Sequence, residues 1–126
     1  MYKNIEAGAS FVVNFAIPTN PDRRNEFILC YKFRTVDYDV QFGIYKINSL
    51  QYTTTDEMLK EENVQKFQPL IKLQKVSSNL MEIKGGLVIN EPGLYQIVFD
   101  NSYSYFRSKE LYYQVHMLSR DPNVIM

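Results

Sequence analysis

Apolar and polar positions alternate with a period of two along most of this chain, and turn-forming residues interrupt the alternation. Phe11, Val13, Phe15 and Ile17 share one side of a stretch whose other side carries Val12, Asn14 and Ala16. Phe27, Leu29, Tyr31 and Phe33 alternate with Ile28, Cys30, Lys32 and Arg34, a set that grows polar toward its end. Val40, Phe42 and Ile44 follow a tight corner at Asp37-Tyr38-Asp39, which predicts a hairpin with the stretch before. Leu111, Tyr113, Val115 and Met117 alternate with Tyr112, Gln114, His116 and Leu118. Alternation places the two sets on opposite faces of an extended chain, so each stretch predicts a half-buried strand. Leu94 to Phe99 is a short apolar run, and 70–76 and 81–88 are two further strands. Within the last of these, Gly85-Gly86 points to a bulge or a close backbone approach.

The interruptions have turn chemistry. Glu6-Ala7-Gly8-Ala9-Ser10 launches the first of these strands, and Pro18 to Asn25 is a loop by composition. Pro92-Gly93 suits a turn, because proline presets φ and glycine supplies a positive one. Asp100-Asn101-Ser102 can bond its side chains to nearby backbone, stopping the strand as a polar corner. From about 48 to 68 the pattern lapses. Thr55 and Asp56 are N-cap candidates ahead of Glu57, Glu61 and Glu62, so this segment reads as an insertion with one or two helical turns. Asp121-Pro122-Asn123 ends the domain.

These elements predict one all-β domain over 1–126, an antiparallel two-sheet β-sandwich of Greek-key or jelly-roll kind. It should have seven or eight strands and one short helical insertion. Phe11, Val13, Phe15, Phe33, Phe42, Ile97, Phe99, Tyr113 and Val115 are expected between the sheets.

Composition narrows the function classes. Fourteen basic residues balance fourteen acidic ones, so attraction to a charged partner must come from a local patch and nucleic acid is not an expected partner. Ten Tyr and eight Phe suit pleated surfaces where rings pack and still reach water. Cys30 is the only cysteine, so no intrachain disulfide forms, in keeping with a reducing, cytoplasmic setting. The first residues lack the apolar run of a secretory signal, and no stretch has the roughly 18 apolar residues of a transmembrane helix.

Two stretches carry a resemblance. Tyr31 to Tyr45 (Tyr-Lys-Phe-Arg-Thr-Val-Asp-Tyr-Asp-Val-Gln-Phe-Gly-Ile-Tyr) resembles the aromatic-x-Phe-x-Thr-x-x-Tyr-Asp-Ile-x-Phe-Gly-Val-Tyr segment of GOLD (Golgi dynamics) domains. Phe99 to Lys109 (Phe-Asp-Asn-Ser-Tyr-Ser-Tyr-Phe-Arg-Ser-Lys), followed by Tyr112-Tyr113, resembles their Phe-Asp-Asn-Ser-Tyr-Ser-x-x-Arg-Ser-Lys segment. Glu6 to Ser10 is similar to the Ala-Gly-Ser entry turn of their cytosolic branch, which includes Golgi acyl-CoA-binding adaptors and proteins pairing a GOLD domain with a CRAL-TRIO lipid-transfer domain. Departures are Tyr31, where close relatives tend to carry Trp, and the acidic insertion. The resemblance implies a β-sandwich adaptor without enzymatic activity, in membrane traffic or lipid signalling at Golgi or endosomal membranes.

Candidate chemistry agrees with a binding role. His116 and Cys30 have no acid or base beside them in sequence, no phosphate loop or metal-protease motif is present, and no cofactor is expected. Asp37, Asp39, Asp100 and Asn101 have the oxygen donors Ca²⁺ takes, but turns call for the same residues, and no metal is expected. Tyr103, Tyr105, Phe106, Arg107 and Lys109 put three rings and two cations in seven residues, a composition suited to a protein pocket or a membrane interface. The alternative is that Tyr103 and Phe106 fold inward and plug the end of the sandwich. A sheet edge or the acidic insertion could also take a partner. The leading expectation is a protein partner. Direct phosphoinositide or membrane-surface binding is the alternative, and a lumenal cargo-receptor domain is a further one.

Overall fold

Every stretch with period-two alternation forms a strand in the computed structural model, which describes residues 1–18, 26–47 and 67–119. The strands are β1 (Tyr2–Ile5), β2 (Ser10–Ile17), β3 (Phe27–Val36), β4 (Val40–Ile47), β5 (Phe67–Val76), β6 (Ile83–Ile89), β7 (Gly93–Asp100) and β8 (Lys109–Ser119). They form two four-stranded sheets, ordered β1-β8-β3-β6 and β2-β7-β4-β5, with every neighbouring pair antiparallel. This is the antiparallel β-sandwich that the alternation predicts. The helical insertion expected near 48–68 falls almost wholly outside the described residues; Phe67 and Gln68 already belong to β5.

Strand β1 was not expected, because Tyr2 to Ile5 is short and mostly exposed. It forms because β8 supplies a pairing edge, with Tyr2 opposite Tyr112 and Ile5 opposite Lys109. The expected hairpin across Asp37-Tyr38-Asp39 is a correction: β3 and β4 lie in different sheets. Asp37 adopts a φ of 70°, a left-handed conformation that aspartate tolerates better than most residues. Thr35 Oγ1 donates to the Tyr38 carbonyl at 2.5 Å, and its oxygen lies 2.6 Å from Ser78 Oγ. The corner therefore turns the chain over the top of the sandwich. That carries Phe33 and Phe42 face to face across the core, with ring centroids 4.7 Å apart.

The core is aromatic at its centre. Phe33 meets Phe99 edge-on at 5.0 Å, Phe42 meets Phe99 at 5.6 Å, and Phe11 meets Tyr113 at 5.3 Å. Each contact joins the two sheets or braces one that does, and each pair adds roughly 0.5–1.5 kcal/mol beyond area burial. All nine residues expected in the core are buried in it or packed against it. Strand β7 departs from simple alternation: Gln96, Val98 and Asp100 on its outer side are as buried as Tyr95, Ile97 and Phe99. A second apolar cluster explains this, with Val98 and Phe67 buried among Val12, Tyr45, Ile47 and Leu73. The outer face of the β2-β7-β4-β5 sheet is thus buried around Val98, whereas the outer residues of β8 in the other sheet are exposed.

Of the two readings of Gly85-Gly86, close approach holds. A β-carbon on Gly85 would lie 2.4 Å from Tyr31 Oη and 2.7 Å from its Cζ. The irregularity in register lies instead in β4 against β5, around Gly43. Gly85→Ala should therefore push the Tyr31 ring out of its place against Phe42. A loss of about 1–3 kcal/mol in urea unfolding is expected, the usual range for overpacking. Combining it with Tyr31→Leu should recover much of that loss.

Candidate functional site at the loop end of the sandwich

Several connections meet at one end of the sandwich: β1–β2, β3–β4, β5–β6 and the polar corner leading from β7 to β8. Their organising residue is Asn101, which is fully buried. Its Nδ2 lies 3.1 Å from the Ile5 carbonyl, 3.1 Å from that of Glu6 and 2.8 Å from that of Arg107. Three acceptors around one atom require a donor there, and an amide supplies one where a carboxylate could not. The backbone of Asn101 is equally engaged. Its N–H donates to Ala9 O at 2.9 Å, and its carbonyl accepts from the N–H groups of Gly8 and Ser104, each at 3.1 Å. Its Oδ1 is buried without a hydrogen-bond partner, so the Nδ2 contacts carry the side chain's contribution.

Neighbouring polar residues are fixed similarly. Asp100 accepts from Ser10 Oγ at 2.5 Å and from Ser102 Oγ at 2.8 Å. The corner was expected to bond to its own local backbone, but two of Asn101's three carbonyls come from the far end of the chain. Tyr103 points inward. Its hydroxyl donates to Asp39 Oδ1 at 2.6 Å, and Lys109 Nζ donates to Asp39 O at 2.8 Å and to Tyr103 Oη at 3.1 Å. The Lys109 ammonium also lies 4.6 Å from the centre of the Tyr103 ring. Burial lowers the Lys109 pKa, an effect Asp39 partly offsets. Burial raises that of Tyr103, and its hydrogen bond to Asp39 raises it further.

Beyond Tyr103 the chain makes a tight turn. Ser104 Oγ donates to Arg107 O at 3.1 Å and accepts from Arg107 N at 3.3 Å. Tyr105 and Phe106 occupy its apex and are 87% and 95% exposed, their ring centroids 6.5 Å apart. The Arg107 guanidinium lies 4.3 Å from the centre of the Tyr38 ring and donates to the Tyr38 hydroxyl. The β5–β6 turn joins this end through Asn79 Nδ2, which donates to Asp37 O at 3.2 Å. That turn exposes Leu80 and Met81.

The residues expected to bind therefore divide. Tyr105, Phe106 and Arg107 share the surface. Tyr103 and Lys109, expected beside them, turn inward, and Lys109 is only 2% exposed. The reason is that residues 101–108 are turned rather than extended, so alternation does not govern which way their side chains point. Tyr38, Leu80 and Met81 were not singled out from sequence. The Leu80-Met81 pair inside a polar turn, Ser77-Ser78-Asn79, was the available signal. Among the described residues no group of three or more His, Cys, Asp or Glu is placed to hold a metal. Asp39 is taken by Tyr103 and Lys109, and Asp100 by two hydroxyls. Cys30 and His116 face each other across β3 and β8 on an outer sheet face.

Fold, corner and turn together define an antiparallel β-sandwich whose loop end displays an aromatic-basic tip. The chain is similar to protein TMED8 of Homo sapiens and of Pongo abelii, 27% identical over 140 residues in each case, and to that of Mus musculus at 26% over 144 residues. These alignments cover 86% of this chain and 42% of each relative, so the chain spans about two fifths of the length of the curated relatives it matches. No protein-family model matches the chain.

Two variants probe the interior of this end. Asn101→Ala should cost on the order of 1–3 kcal/mol, because it leaves buried carbonyls without a donor. Unchanged urea unfolding would show that the three contacts contribute nothing. Lys109→Glu should cost about 3 kcal/mol or more, since it removes the partner of Asp39 and buries an acid beside it. Thermal melting checks this, and Lys109→Met, which keeps the stem and adds no acid, should be milder.

Proposed function

We propose that this chain is a non-enzymatic GOLD-type interaction module of membrane traffic, working in the cytoplasm on the surface of Golgi or endosomal membranes. It docks a protein partner through the loop end. The observation that carries this reading is the exposure of Tyr105 and Phe106 at the apex of a turn held rigid from beneath. The turn is bonded through Ser104 and anchored by Asn101, so ordering the rings on binding costs little. A single ring seated in a partner pocket supplies about 2 kcal/mol or more. Arg107, already stacked on Tyr38, adds a positioned cation beside the rings. The similarity to TMED8 and the two GOLD-like segments support the assignment to membrane traffic.

A second reading, direct attachment to a phosphoinositide-bearing or otherwise anionic membrane, draws on Leu80 and Met81. They add exposed aliphatic surface at the same end as the two rings. Rings of this kind settle at the interface of a leaflet, and each adjacent cation adds about 1 kcal/mol on an anionic surface.

Phe106→Ala combined with Arg107→Glu removes the apex ring and reverses the surface cation while leaving the internal Lys109 untouched. Organelle recruitment of the full chain should be lost, with the melting temperature unchanged. Retained recruitment would overturn the assignment of this end. Flotation with phosphoinositide vesicles separates the two readings: wild-type flotation that the double variant loses favours the membrane, and no flotation favours the protein partner.

A further inference from the structure

The outer face of the β1-β8-β3-β6 sheet is open, and its residues fall into rows set by the strand register. One row is apolar: Leu118, Ile28 and Val88, with Leu118 and Val88 49% and 52% exposed. The next holds His116, Cys30 and Gly86. The third is Gln114, Lys32 and Lys84, and the fourth is Tyr2, Tyr112 and Arg34. In the third row Lys32 and Lys84 are directly opposite each other, which brings their β-carbons to about 5 Å; like charges so placed are destabilising. Arg34 lies two residues further along the same face, with its guanidinium 4.3 Å from the centre of the Tyr112 ring.

Among the described residues no carboxylate lies within ion-pair distance of Lys32, Lys84 or Arg34; the ion pairs there join Lys46 to Glu91 and Lys109 to Asp39. Of the two acids on this face, Glu82 and Glu110, the second accepts from Tyr2 Oη at 3.2 Å. A cleft of about 240 Å³ opens between Lys32, Arg34, Tyr112 and Gln114, with Met1 and Glu82 also lining it.

We propose that this face is a second docking surface, separate from the loop end, and that its occupant is a protein segment carrying acidic and aliphatic side chains. Charge complementarity picks the occupant. Carboxylates seated over Lys32 and Lys84 relieve their like-charge opposition, and Arg34 adds a third cation two residues along the same face. The apolar row lies four residues along the strands from the lysine row, a distance of about 13 Å. An extended partner spans it with about four residues between its acidic cluster and its aliphatic side chains, and a helical one with about nine. Gly86 leaves the intervening row shallow. A β-carbon there would touch only the Ile28 side chain, at 3.5 Å, so the partner backbone can lie close.

The test uses the full chain and a fluorescein-labelled peptide with three consecutive Glu and, four residues on, two Leu. Its controls carry Lys for Glu or Ala for Leu. Fluorescence anisotropy should show binding of the first peptide alone, weakened at least tenfold by Lys84→Glu and by Leu118→Ser. Amide chemical-shift changes should centre on Lys32, Lys84, Val88 and Tyr112, and Phe106→Ala should leave them unchanged. Lys84→Glu also replaces a repulsive cross-strand pair with an attractive one, so it should melt higher than wild type while losing the peptide. Loss of affinity therefore cannot be ascribed to unfolding. The proposal is overturned if the peptide fails to bind, if Lys84→Glu binds it as wild type does, or if the shifts map to the loop end. It is equally overturned if Lys84→Glu instead abolishes binding to phosphatidylserine vesicles, or dissolves a dimer of this chain seen by sedimentation. Those results would make the face a membrane surface or a self-contact.

Discussion

One amide nitrogen, Nδ2 of Asn101, ties together parts of the chain that are about a hundred residues apart. Two of its carbonyls, on Ile5 and Glu6, close β1 in one sheet. Its backbone holds Gly8 and Ala9 at the start of β2 in the other sheet. Its third carbonyl, on Arg107, sets the base of the exposed turn. The junction thus joins the two sheets at one end, and the tip stands on it. A carboxylate would repel the same three oxygens, and a smaller side chain would leave them unpaired in the interior.

The segment after that junction divides its side chains between two tasks. Tyr103 and Lys109 close the interior through Asp39, while Tyr105, Phe106 and Arg107 stand outside. The division has a simple cause. Ser104 bonds to both backbone groups of Arg107, so the residues between them have nowhere to go but outward. Structure and display are therefore not rival accounts of this motif: its two ends are buried and its middle is presented. Substitutions at Tyr103 and Lys109 alter the interior, and those at Tyr105 and Phe106 alter only exposed surface.

Much of the sandwich was legible because burial on one face of a strand imposes a period of two, and Phe11, Phe33, Phe42, Phe99 and Tyr113 obey it. Pairing between strands was less legible. The Asp37 corner looks like a hairpin turn locally, and only the meeting of Phe33 with Phe42 across the core shows that it carries the chain from one sheet to the other. Strand β1 was hidden for a related reason: it owes its existence to β8 rather than to its own pattern. At the candidate site the composition of the tip was visible, but the direction of each side chain was not, because turn geometry replaces alternation there. The opposed Lys32 and Lys84 are invisible in sequence, since they become neighbours only through the register of β3 with β6.

The pairing of β1 with β8 has a bearing on synthesis. The first strand of its sheet lies against the last, and β8 also separates β1 from β3. As the polypeptide leaves the ribosome, the opening strand emerges with no neighbour to bond to. It must wait until Lys109 to Tyr112 have cleared the exit tunnel. The β2-β7-β4-β5 sheet, which needs nothing beyond Asp100, has all its strands earlier. The Asn101 junction, which joins Ile5 and Glu6 to Arg107, can close only when both chain ends of the fold are present together. Loop closure over such separations makes this a slow-folding class of architecture, and during that interval the unpaired β1 and β3 edges are the surfaces a chaperone would need to cover.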